Sequence, residues 1–474
     1  MAAAPATPKP PRRKARDVIK ALGRPRVGVM LALGISSGLP FALVGATLTF
    51  WLAQRKIDVT TIGLTSAIGF AYGFKFLWGP FVDRLPLPLI GRLGRRRSWM
   101  LLTQVIVGLA FVGMAMVDPK ANMALFVVVA IAAAVGSAFQ DTVIDAWRIE
   151  IAADADELGL LTAANTLGYK IALTFTEAII LSVAKRIDWP ASYIICGAAM
   201  SIGFVAAILA REPVAADMVM ERKEAAALRG PKAAALYVFD AVVGPIIAFF
   251  RAHGVFMAAL MLAMITLYHL SDYGRGAMVG PYYTALKIDN DTIAWVRLAL
   301  GTPASFVGIA LGGLCALRIG NVPTLILGAI LQPIAVAFFA PLGFHGGDFA
   351  LVSLGAVKIT AFEAAMTFDS AAFGFAGVAL VSYMSTLTSL GYTATQYALL
   401  TSAMAFTGKS LKTASGAIEQ SMQHGDALSA FANFYLLCGL LGVPAIFMCA
   451  ILAWAQLRRV RAQRPPPTAA TVTS

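Results

Sequence analysis

The segment Lys75–Gln104 reads KFLWGPFVDRLPLPLIGRLGRRRSWMLLTQ, in which two apolar stretches flank a loop that holds five arginines. Apolar stretches of this kind form membrane-spanning helices, and arginine-rich loops between them stay on the cytoplasmic side of the membrane. The loop begins at Arg84 and ends with the run Arg95–Arg97. The segment therefore predicts a hairpin of two transmembrane helices whose turn lies in the cytoplasm.

The composition of the whole chain supports this interpretation. Of its 474 residues, 59% are hydrophobic and 13% are charged, and the mean hydropathy is +0.75. A soluble protein carries about 25% charged residues, and a single soluble core stops growing at about 250–300 residues. The composition excludes a soluble enzyme, a disordered protein and a disulfide scaffold. It predicts an all-α polytopic membrane protein.

Apolar stretches close to the length that crosses a bilayer, about 20 residues, recur along the whole chain. Six precede a polar interval and six follow it, which predicts twelve transmembrane helices in two six-helix halves. We place them at 27–53, 61–82, 99–117, 122–146, 159–184 and 190–210 in the first half and at 254–285, 292–317, 321–341, 348–386, 394–418 and 427–457 in the second. The stretch at 348–386 is longer than one span requires.

The polar segments divide the chain into five parts. We expect a basic tail at 1–26, the first half at 27–210, a linker at 211–253, the second half at 254–457 and a tail at 458–474. The last part of the linker, VFDAVVGPIIAFFRAHG, is apolar enough to predict a helix that lies in the membrane interface.

The net charge of +13 is explained by membrane topology. With the N-terminus inside, 25 of the 38 lysines and arginines lie in cytoplasmic segments and 6 lie in outer loops. This distribution follows the positive-inside rule. Both termini are therefore expected in the cytoplasm, and the charge requires no nucleic acid partner. The first 26 residues carry no cleavage site behind a short apolar core, so we interpret them as a tail and not as a signal peptide.

A short repeat relates the two halves. Residues 160–170 read LLTAANTLGYK and residues 399–409 read LLTSAMAFTGK, each at the start of the fifth span of its half. Either this match arises by chance in a chain rich in alanine and leucine, or Lys170 and Lys409 are partners across a two-fold axis. Repeated halves of this kind are typical of secondary transporters.

Ionisable residues inside the predicted spans are the candidates for function, because a charge at the centre of a bilayer costs several kcal/mol or more. They are Lys75, Asp141, Asp145, Lys170, Glu177, Asp272, Arg275, Arg297, Lys358, Glu363, Asp369, Lys409 and Lys412. Two interpretations stay open. Either these residues form ion pairs that hold the helices together, or cations bind an anionic substrate while a carboxylate carries a coupling proton.

Under the second interpretation, the carboxylates Asp141, Asp145, Glu177 and Asp369 are the candidates for proton coupling. Asp141 and Asp145 rank first, because two carboxylates four residues apart on one helix face raise each other's affinity for a proton. Lys170, Lys409, Asp272 and Arg275 are candidates for substrate binding. The chain has no GxxxxGK[ST] loop and no HExxH motif, so we expect neither ATP-driven transport, nor a metal site, nor a cofactor.

The loop after the second span, GPFVDRLPLPLIGRLGRRR, resembles the GxxxDRxGRR loop of the major facilitator superfamily, with an insertion in its middle. The resemblance implies that the glycine allows close helix approach and that the aspartate pairs across helices to latch the inner gate. The gate residues are then Gly79, Asp83, Arg84, Arg95 and Arg96. The equivalent loop at 312–321 lacks the aspartate, so we expect one such latch. The alternative is that the loop only sets topology.

Further motifs are similar to those of the AmpG family of muropeptide permeases. They are GISSGLPFAL (34–43), IGFAYGFKFLWGPFVDR (68–84), GRRRSWMLLTQ (94–104), SAFQDTVIDAW (137–147), LGYK (167–170), LYHLSD (267–272) and TATQYALL (393–400). We add Gln140, which lies in the fourth motif, to the candidates for substrate binding. The resemblance implies uptake of N-acetylglucosaminyl-1,6-anhydro-N-acetylmuramyl peptides. The segments Asp272–Pro281 and 361–377 depart from the family pattern and leave the cargo open.

The sequence thus predicts a proton-coupled importer of the bacterial inner membrane, which takes an anionic sugar-peptide and protons across the lipid bilayer and is not an enzyme. Alternating access between the two halves is the expected mechanism. One alternative is another anionic cargo, such as a siderophore or a coenzyme A ester. The other is a membrane sensor that binds its ligand without moving it.

Overall fold

The computed structural model describes residues 23–57, 65, 67–88, 90–213, 240, 243–276, 278–346, 349–354, 357–423 and 426–462. Most of the first predicted tail, most of the linker and the end of the second tail lie outside these residues. The side chains of Glu177, Lys358 and Lys409 also lie outside the description, although their helices and strand are within it.

The first half contains six spans. Span 1 consists of helices Pro25–Val44 and Ala46–Gln54, and span 2 consists of the 3₁₀ segment Ala67–Phe74 and helix Lys75–Arg84. Span 3 is Arg95–Met116, span 4 is Met123–Ile151 and span 5 is Ala155–Arg186. Span 6 consists of Trp189–Ala199 and Ser201–Leu209. Spans 4, 5 and 6 each begin at a capping side chain: Asn122, Asp154 and Asp188 accept backbone N–H groups of the first turn. Such caps satisfy donors that have no partner inside the helix.

The second half repeats this plan after a short helix, Gly244–His253, at the place predicted for an interfacial helix. Span 7 consists of Val255–Leu267, Leu270–Arg275 and Val279–Ala285, and span 8 consists of Asn290–Val296, the π-helical turn Arg297–Gly301 and Thr302–Ile319. Span 9 consists of Asn321–Ala337 and Ala340–His345. Span 10 is Ala361–Thr386, span 11 is Thr393–Ser421, and span 12 consists of Ala427–Leu440 and Val443–Ala462. The predicted all-α fold of twelve spans in two halves is confirmed.

Nine of the helical segments that the structure describes are long and apolar enough to cross a membrane. Spans 2, 5 and 11 complete the twelve.

The continuous helix predicted at 348–386 is wrong at its start. Strands β1 (Ala350–Leu354) and β2 (Val357–Thr360) form an antiparallel hairpin there. The helix begins at Ala361, because Thr360 and Glu363 form a capping box that fixes its first turn.

Each half buries its own apolar core. In the first half, Trp51 packs against Trp189 and Tyr193, with ring centroids 6.0 and 4.8 Å apart. In the second half, Tyr282 and Tyr435 lie 4.6 Å apart within another cluster of buried residues. Aromatic side chains bury large areas, so these clusters hold the six spans of each half together.

The halves meet mainly where span 2 packs on span 11 and where span 5 packs on span 8. Spans 2 and 5 of the first half correspond to spans 8 and 11 of the second half, so the two contacts are equivalent under the two-fold repeat. Both contacts depend on small residues. A Cβ at Gly79 would lie 2.6 Å from Cα of Thr395, and a Cβ at Gly313 would lie 2.4 Å from Cβ of Ala163. Both contacts lie at the end of the bundle that carries the arginine loop, which we call the basic end.

We expect Gly79→Ala to destabilise the closed basic end, because its methyl group would overlap the backbone of span 11. Overpacking of this kind costs about 1–3 kcal/mol. Gly69→Ala, in the same span, is the matched control, since a Cβ there meets no atom within 4 Å. Thermal unfolding of the purified proteins measures the difference, and equal midpoints for both variants would contradict the packing described.

Candidate functional site

The carboxylate of Asp83 at the end of span 2 caps span 11 of the other half. It accepts the backbone N–H groups of Ala394 and Thr395 at 3.1 and 2.9 Å and the Thr395 hydroxyl at 2.8 Å. Tyr392, at the N-cap position of span 11, supplies no side-chain cap. A carboxylate is favoured here by the unpaired N–H groups and by the positive end of the helix dipole. Asp83 therefore caps span 11 from the other half, whereas spans 4, 5 and 6 are each capped by the residue that precedes them in sequence.

A buried arginine holds Asp83 in place. Arg96 donates to Asp83 at 2.8 Å and to Glu150 at 2.9 Å. Arg95 donates to the main-chain oxygen of Asp83. Glu212 accepts the backbone N–H of Arg96 at 2.7 Å, at the start of span 3. Buried charges are tolerated when they are paired and hydrogen-bonded, so this network fixes the ends of spans 2, 3 and 4 around the gate.

The last residue of span 2 reaches the linker. Arg84 pairs with Asp240 at 2.6 Å, and its guanidinium lies over the ring of Tyr392 at 5.6 Å. The Tyr392 hydroxyl donates to Asp240 at 2.5 Å. Burial raises the pKa of Tyr392 to about 12, and the neighbouring Asp240 carboxylate adds to this effect. The phenol therefore keeps its proton at neutral pH and remains a donor at the gate.

A second buried arginine joins span 4 to the other half. Arg148 pairs with Asp145 at 3.1 Å and donates to the Ser385 hydroxyl of span 10 at 3.2 Å. It also lies 5.4 Å from the ring centre of Tyr397 in span 11. The sequence assigns Arg148 to a cytoplasmic loop, which is wrong because span 4 continues to Ile151. The extra helical turn places the guanidinium between the halves.

Asp141 lies one turn earlier on span 4 and has its own partners. Lys75 of span 2 donates to it at 2.6 Å, and the hydroxyl of Ser37 in span 1 donates to its other oxygen. Asp145 is paired with Arg148. The two carboxylates are four residues apart, as the sequence indicates, but each has its own cation. Their mutual repulsion is therefore compensated in this conformation.

The second half contains a cluster of two carboxylates and one guanidinium, which we call the acidic cluster. Arg275 of span 7 pairs with Asp272 at 2.6 Å and with Asp369 of span 10 at 2.8 Å. Its guanidinium also lies 5.5 Å from the ring centre of Phe339. Three residues predicted from the sequence thus lie together. With both carboxylates ionised, the cluster carries a net charge of −1.

Residues 30–408 match the model of the Major Facilitator Superfamily. The chain belongs to the major facilitator superfamily. The anhydromuropeptide permease of Escherichia coli (strain K12) is 31% identical over 388 residues, which cover 81% of this chain and 72% of that protein. The putative transporter AmpG 4 of Rickettsia conorii is 27% identical over 425 residues, which cover 89% and 95% of the two chains. The chain is therefore an AmpG-type permease, as the motifs predict, and not an enzyme.

A solved structure supports the fold. The proton:xylose symporter XylE bound to 6-bromo-6-deoxy-D-glucose superposes with a TM-score of 0.62 and 14% identity, over 92% of this chain and 95% of that one. At this identity the likeness shows the architecture alone. Together with the family match and the permease relatives, this architecture makes the protein a multi-pass membrane transporter.

Gln140 packs within the first half of the permease. Its side-chain amide donates to the Ser36 hydroxyl at 3.2 Å, and Gln104 of span 3 donates to the same oxygen at 2.9 Å. Gln140 has no exposed surface. This conformation therefore gives it a role in helix packing, in contrast to the predicted contact with substrate.

The paired lysines lie on spans 5 and 11. Lys170 is partly buried, and the preceding Tyr169 packs on Phe41 of span 1 with ring centroids 6.1 Å apart. Because the side chains of Lys409 and Glu177 lie outside the description, their predicted roles stay predictions.

Four charged residues of the gate were not predicted: Arg148, Glu150, Glu212 and Asp240. Arg148 and Glu150 directly follow the motif SAFQDTVIDAW, so extending this motif by one helical turn would have found them. Glu212 and Asp240 lie in the predicted linker, where no spacing relates them to the gate. Only the folded chain brings them to the arginine loop.

We expect Asp83→Asn to open the basic end more often, because the variant loses the charge that pairs with Arg96 and weakens the cap of span 11. A hydrogen bond to a charged group contributes about 1.5–3 kcal/mol, which corresponds to a shift in the equilibrium of roughly tenfold to a hundredfold. Cysteine labelling of both faces in membrane vesicles measures this shift. Asp118→Asn, in an exposed turn, is the control. Unchanged labelling in a folded Asp83→Asn protein would show that Asp83 is not a latch.

Proposed function

We propose that this permease imports anhydromuropeptides, the N-acetylglucosaminyl-1,6-anhydro-N-acetylmuramyl peptides, into the cytoplasm for cell-wall recycling, driven by the proton gradient. The cargo is supported by the similarity to the anhydromuropeptide permease of Escherichia coli. The proton coupling is supported by one observation above all, the net charge of the acidic cluster.

The acidic cluster supplies a place for a proton. One guanidinium serves two carboxylates inside the bundle, where Asp272 and Asp369 are 21% and 11% exposed. A net charge within the bilayer is costly, so binding one proton stabilises the cluster by neutralising it. Loss of this proton restores the charge. A site that changes between 0 and −1 in this way can link a proton to the conformation of the protein.

In the first half, the two carboxylates of span 4 that are candidates for coupling form neutral pairs instead, whereas the arginine that serves two carboxylates there, Arg96, lies at the basic end with Arg95 beside it. Asp141 is neutralised by Lys75, and Asp145 by Arg148. Protonation of either carboxylate would leave a buried cation without its partner. We therefore rank Asp369 ahead of Asp141 and Asp145, which reverses the order that the sequence suggests, and we retain Glu177 as a candidate.

The structure corresponds to one state of an alternating-access cycle in which the basic end is closed. We assign this end to the cytoplasm, and the protein to the bacterial inner membrane with both termini inside, from the distribution of lysine and arginine. Proton and cargo then enter from the opposite end. Opening of the basic end requires Asp83 to leave the first turn of span 11.

We propose that Lys170 and Lys409 bind carboxylates of the cargo. Exposed aromatic surface borders both positions: Phe41 packs beside Tyr169, and Phe406, one turn before Lys409, packs on Phe74 at 5.9 Å. Phe41 and Phe406 are 46% and 41% exposed. A lysine holds an anionic group as a point charge, and the rings offer apolar surface for the rest of the solute.

Uptake of radiolabelled anhydromuropeptide into proteoliposomes, with and without an inward proton gradient, tests the proposal. We expect accumulation above the external concentration only with the gradient. Competition by siderophores or coenzyme A esters in place of muropeptides would point to another cargo. Saturable binding without uptake would identify a sensor.

We expect Asp369→Asn to abolish accumulation against a gradient but to retain counterflow exchange, because the remaining Asp272–Arg275 pair is neutral without a proton. Asp141→Asn is the comparison. This variant leaves Lys75 unpaired, and breaking a buried pair costs about 3–5 kcal/mol of stability. Wild-type accumulation in Asp369→Asn would remove Asp369 as the coupling residue.

We expect Lys170→Ala and Lys409→Ala each to weaken binding of the anionic cargo by roughly tenfold to a hundredfold, the range of one charged hydrogen bond. A neutral sugar analogue should lose less affinity. Lys120→Ala, in an exposed loop, is the control. Lower thermal stability with unchanged cargo affinity would instead assign the lysines to ion pairs within the bundle.

A further inference from the structure

A strip of buried polar side chains runs beside the acidic cluster. His269 and Ser271 of span 7 and Gln332 of span 9 are at most 6% exposed. Nδ1 of His269, the hydroxyl of Ser271 and both amide atoms of Gln332 make no hydrogen bond within the described part of the chain. A buried polar group without a partner costs about 1–3 kcal/mol. Three such residues together therefore require a polar ligand, and water is the simplest one.

The helix of span 7 is interrupted at this level, and the helix of span 9 contains a proline there. The first helix of span 7 ends at Leu267, and the next begins at Leu270, so His269 lies in the turn between them. In span 9, Pro333 directly follows Gln332 and lacks the N–H that would continue the helix ladder. Irregular backbone inside a membrane is tolerated where it is buried in protein or lines a water-filled cavity.

The strip leads directly into the acidic cluster. The imidazole of His269 lies against Gln332 on one side and within the field of the Asp272 carboxylate on the other. Asp272 is paired with Arg275, and Arg275 with Asp369. The order along the strip is thus Gln332, His269, Asp272, Arg275 and Asp369, from span 9 across span 7 to span 10.

We propose that His269 is a proton-binding residue of the coupling site, and that Gln332 and Ser271 position its imidazole and the water that hydrates it. This inference rests on the proton coupling proposed above. A hydronium ion donates its proton to a ring nitrogen of His269 or to a carboxylate of the cluster, so that one O–H bond breaks, one N–H or O–H bond forms and a neutral water molecule is left. In either position it brings the four residues His269, Asp272, Arg275 and Asp369 from a net charge of −1 to zero.

The other charged and titratable groups around His269 do not cancel this excess charge. Tyr268 and Tyr273 of the same span lie beside His269 itself, with Phe373 and the uncharged Gln332 as its neighbours on spans 10 and 9. Tyr283 of span 7, Lys412 of span 11, and Tyr435 and Cys438 of span 12 lie around the rest of the acidic cluster. The tyrosines and the cysteine are neutral in their protonated forms. Lys412 is exposed, so water screens its charge. The acidic excess therefore acts on the imidazole.

Replacement of His269 by Asn tests the proposal in proteoliposomes that hold the full-length protein and a pH-sensitive dye. We expect the ratio of gradient-driven uptake to counterflow exchange of anhydromuropeptide to fall at least about tenfold, because exchange requires no net proton movement. Gln332→Leu should lower the ratio less and change its pH profile. His345→Asn, at the exposed end of span 9, is the matched control and should match wild type. A wild-type ratio in His269→Asn would overturn the proposal.

A second measurement does not depend on the cargo. In histidine-labelled protein, the imidazole resonance that His269→Asn removes should titrate when the pH is varied. Its midpoint should change in Asp369→Asn and stay constant in Asp141→Asn. Absence of titration would overturn the role of His269 whatever solute the protein carries. Titration in a protein that fails to transport anhydromuropeptides would contradict only the proposed cargo.

Discussion

The carboxylate of Asp83 joins the two halves of the protein by capping a helix that belongs to the other half. Backbone N–H groups at a helix start need partners in a medium of low dielectric, and the first turn of span 11 obtains them from span 2. The contact is possible because Gly79 lets the two helices touch. The guanidinium of Arg96 then holds the carboxylate in place, directed at the helix. The closed basic end is thus a hydrogen-bonding requirement of span 11 and not only a packing arrangement.

The same constraint, that charges inside a bilayer need partners, makes the halves differ in function although their backbones repeat. In the first half, Asp141 and Asp145 each have a cation, and their charges are compensated. In the second half, Arg275 serves two carboxylates, and the polar strip of His269 adjoins them. On the mechanism proposed above, the repeated scaffold therefore carries its proton-responsive charge in the second half, while the arginine with two carboxylates in the first half, Arg96, belongs to the contact with span 11.

The sequence allowed the spans, the gate loop and the charged residues of the acidic cluster to be named, because hydropathy and motifs are local properties. It did not place Asp369 beside Arg275, since no spacing relates span 10 to span 7. Glu212 and Asp240 could not be found in this way, since they reach the gate only through the path of the linker. The hairpin before span 10 was missed because hydropathy does not distinguish an apolar strand from an apolar helix, whereas the Thr360–Glu363 capping box does. The burial of Gln140 against Ser36 could not be predicted, because a motif indicates a residue type and not the face it occupies.

The two contacts that close the basic end differ in what is lost when they separate. Span 5 carries its own cap, since Asp154 accepts the N–H of Glu157 at 2.7 Å, and it meets span 8 through small residues such as Gly159 and Gly313. Separation of spans 5 and 8 leaves this cap intact. Separation of spans 2 and 11 leaves the first N–H groups of span 11 without the carboxylate, which stays paired with Arg96 in the first half. Opening of the basic end therefore has to break the Asp83 cap, together with the contacts of Arg148 to Ser385 and Tyr397 in the other half, whereas the helices within each half keep their own caps.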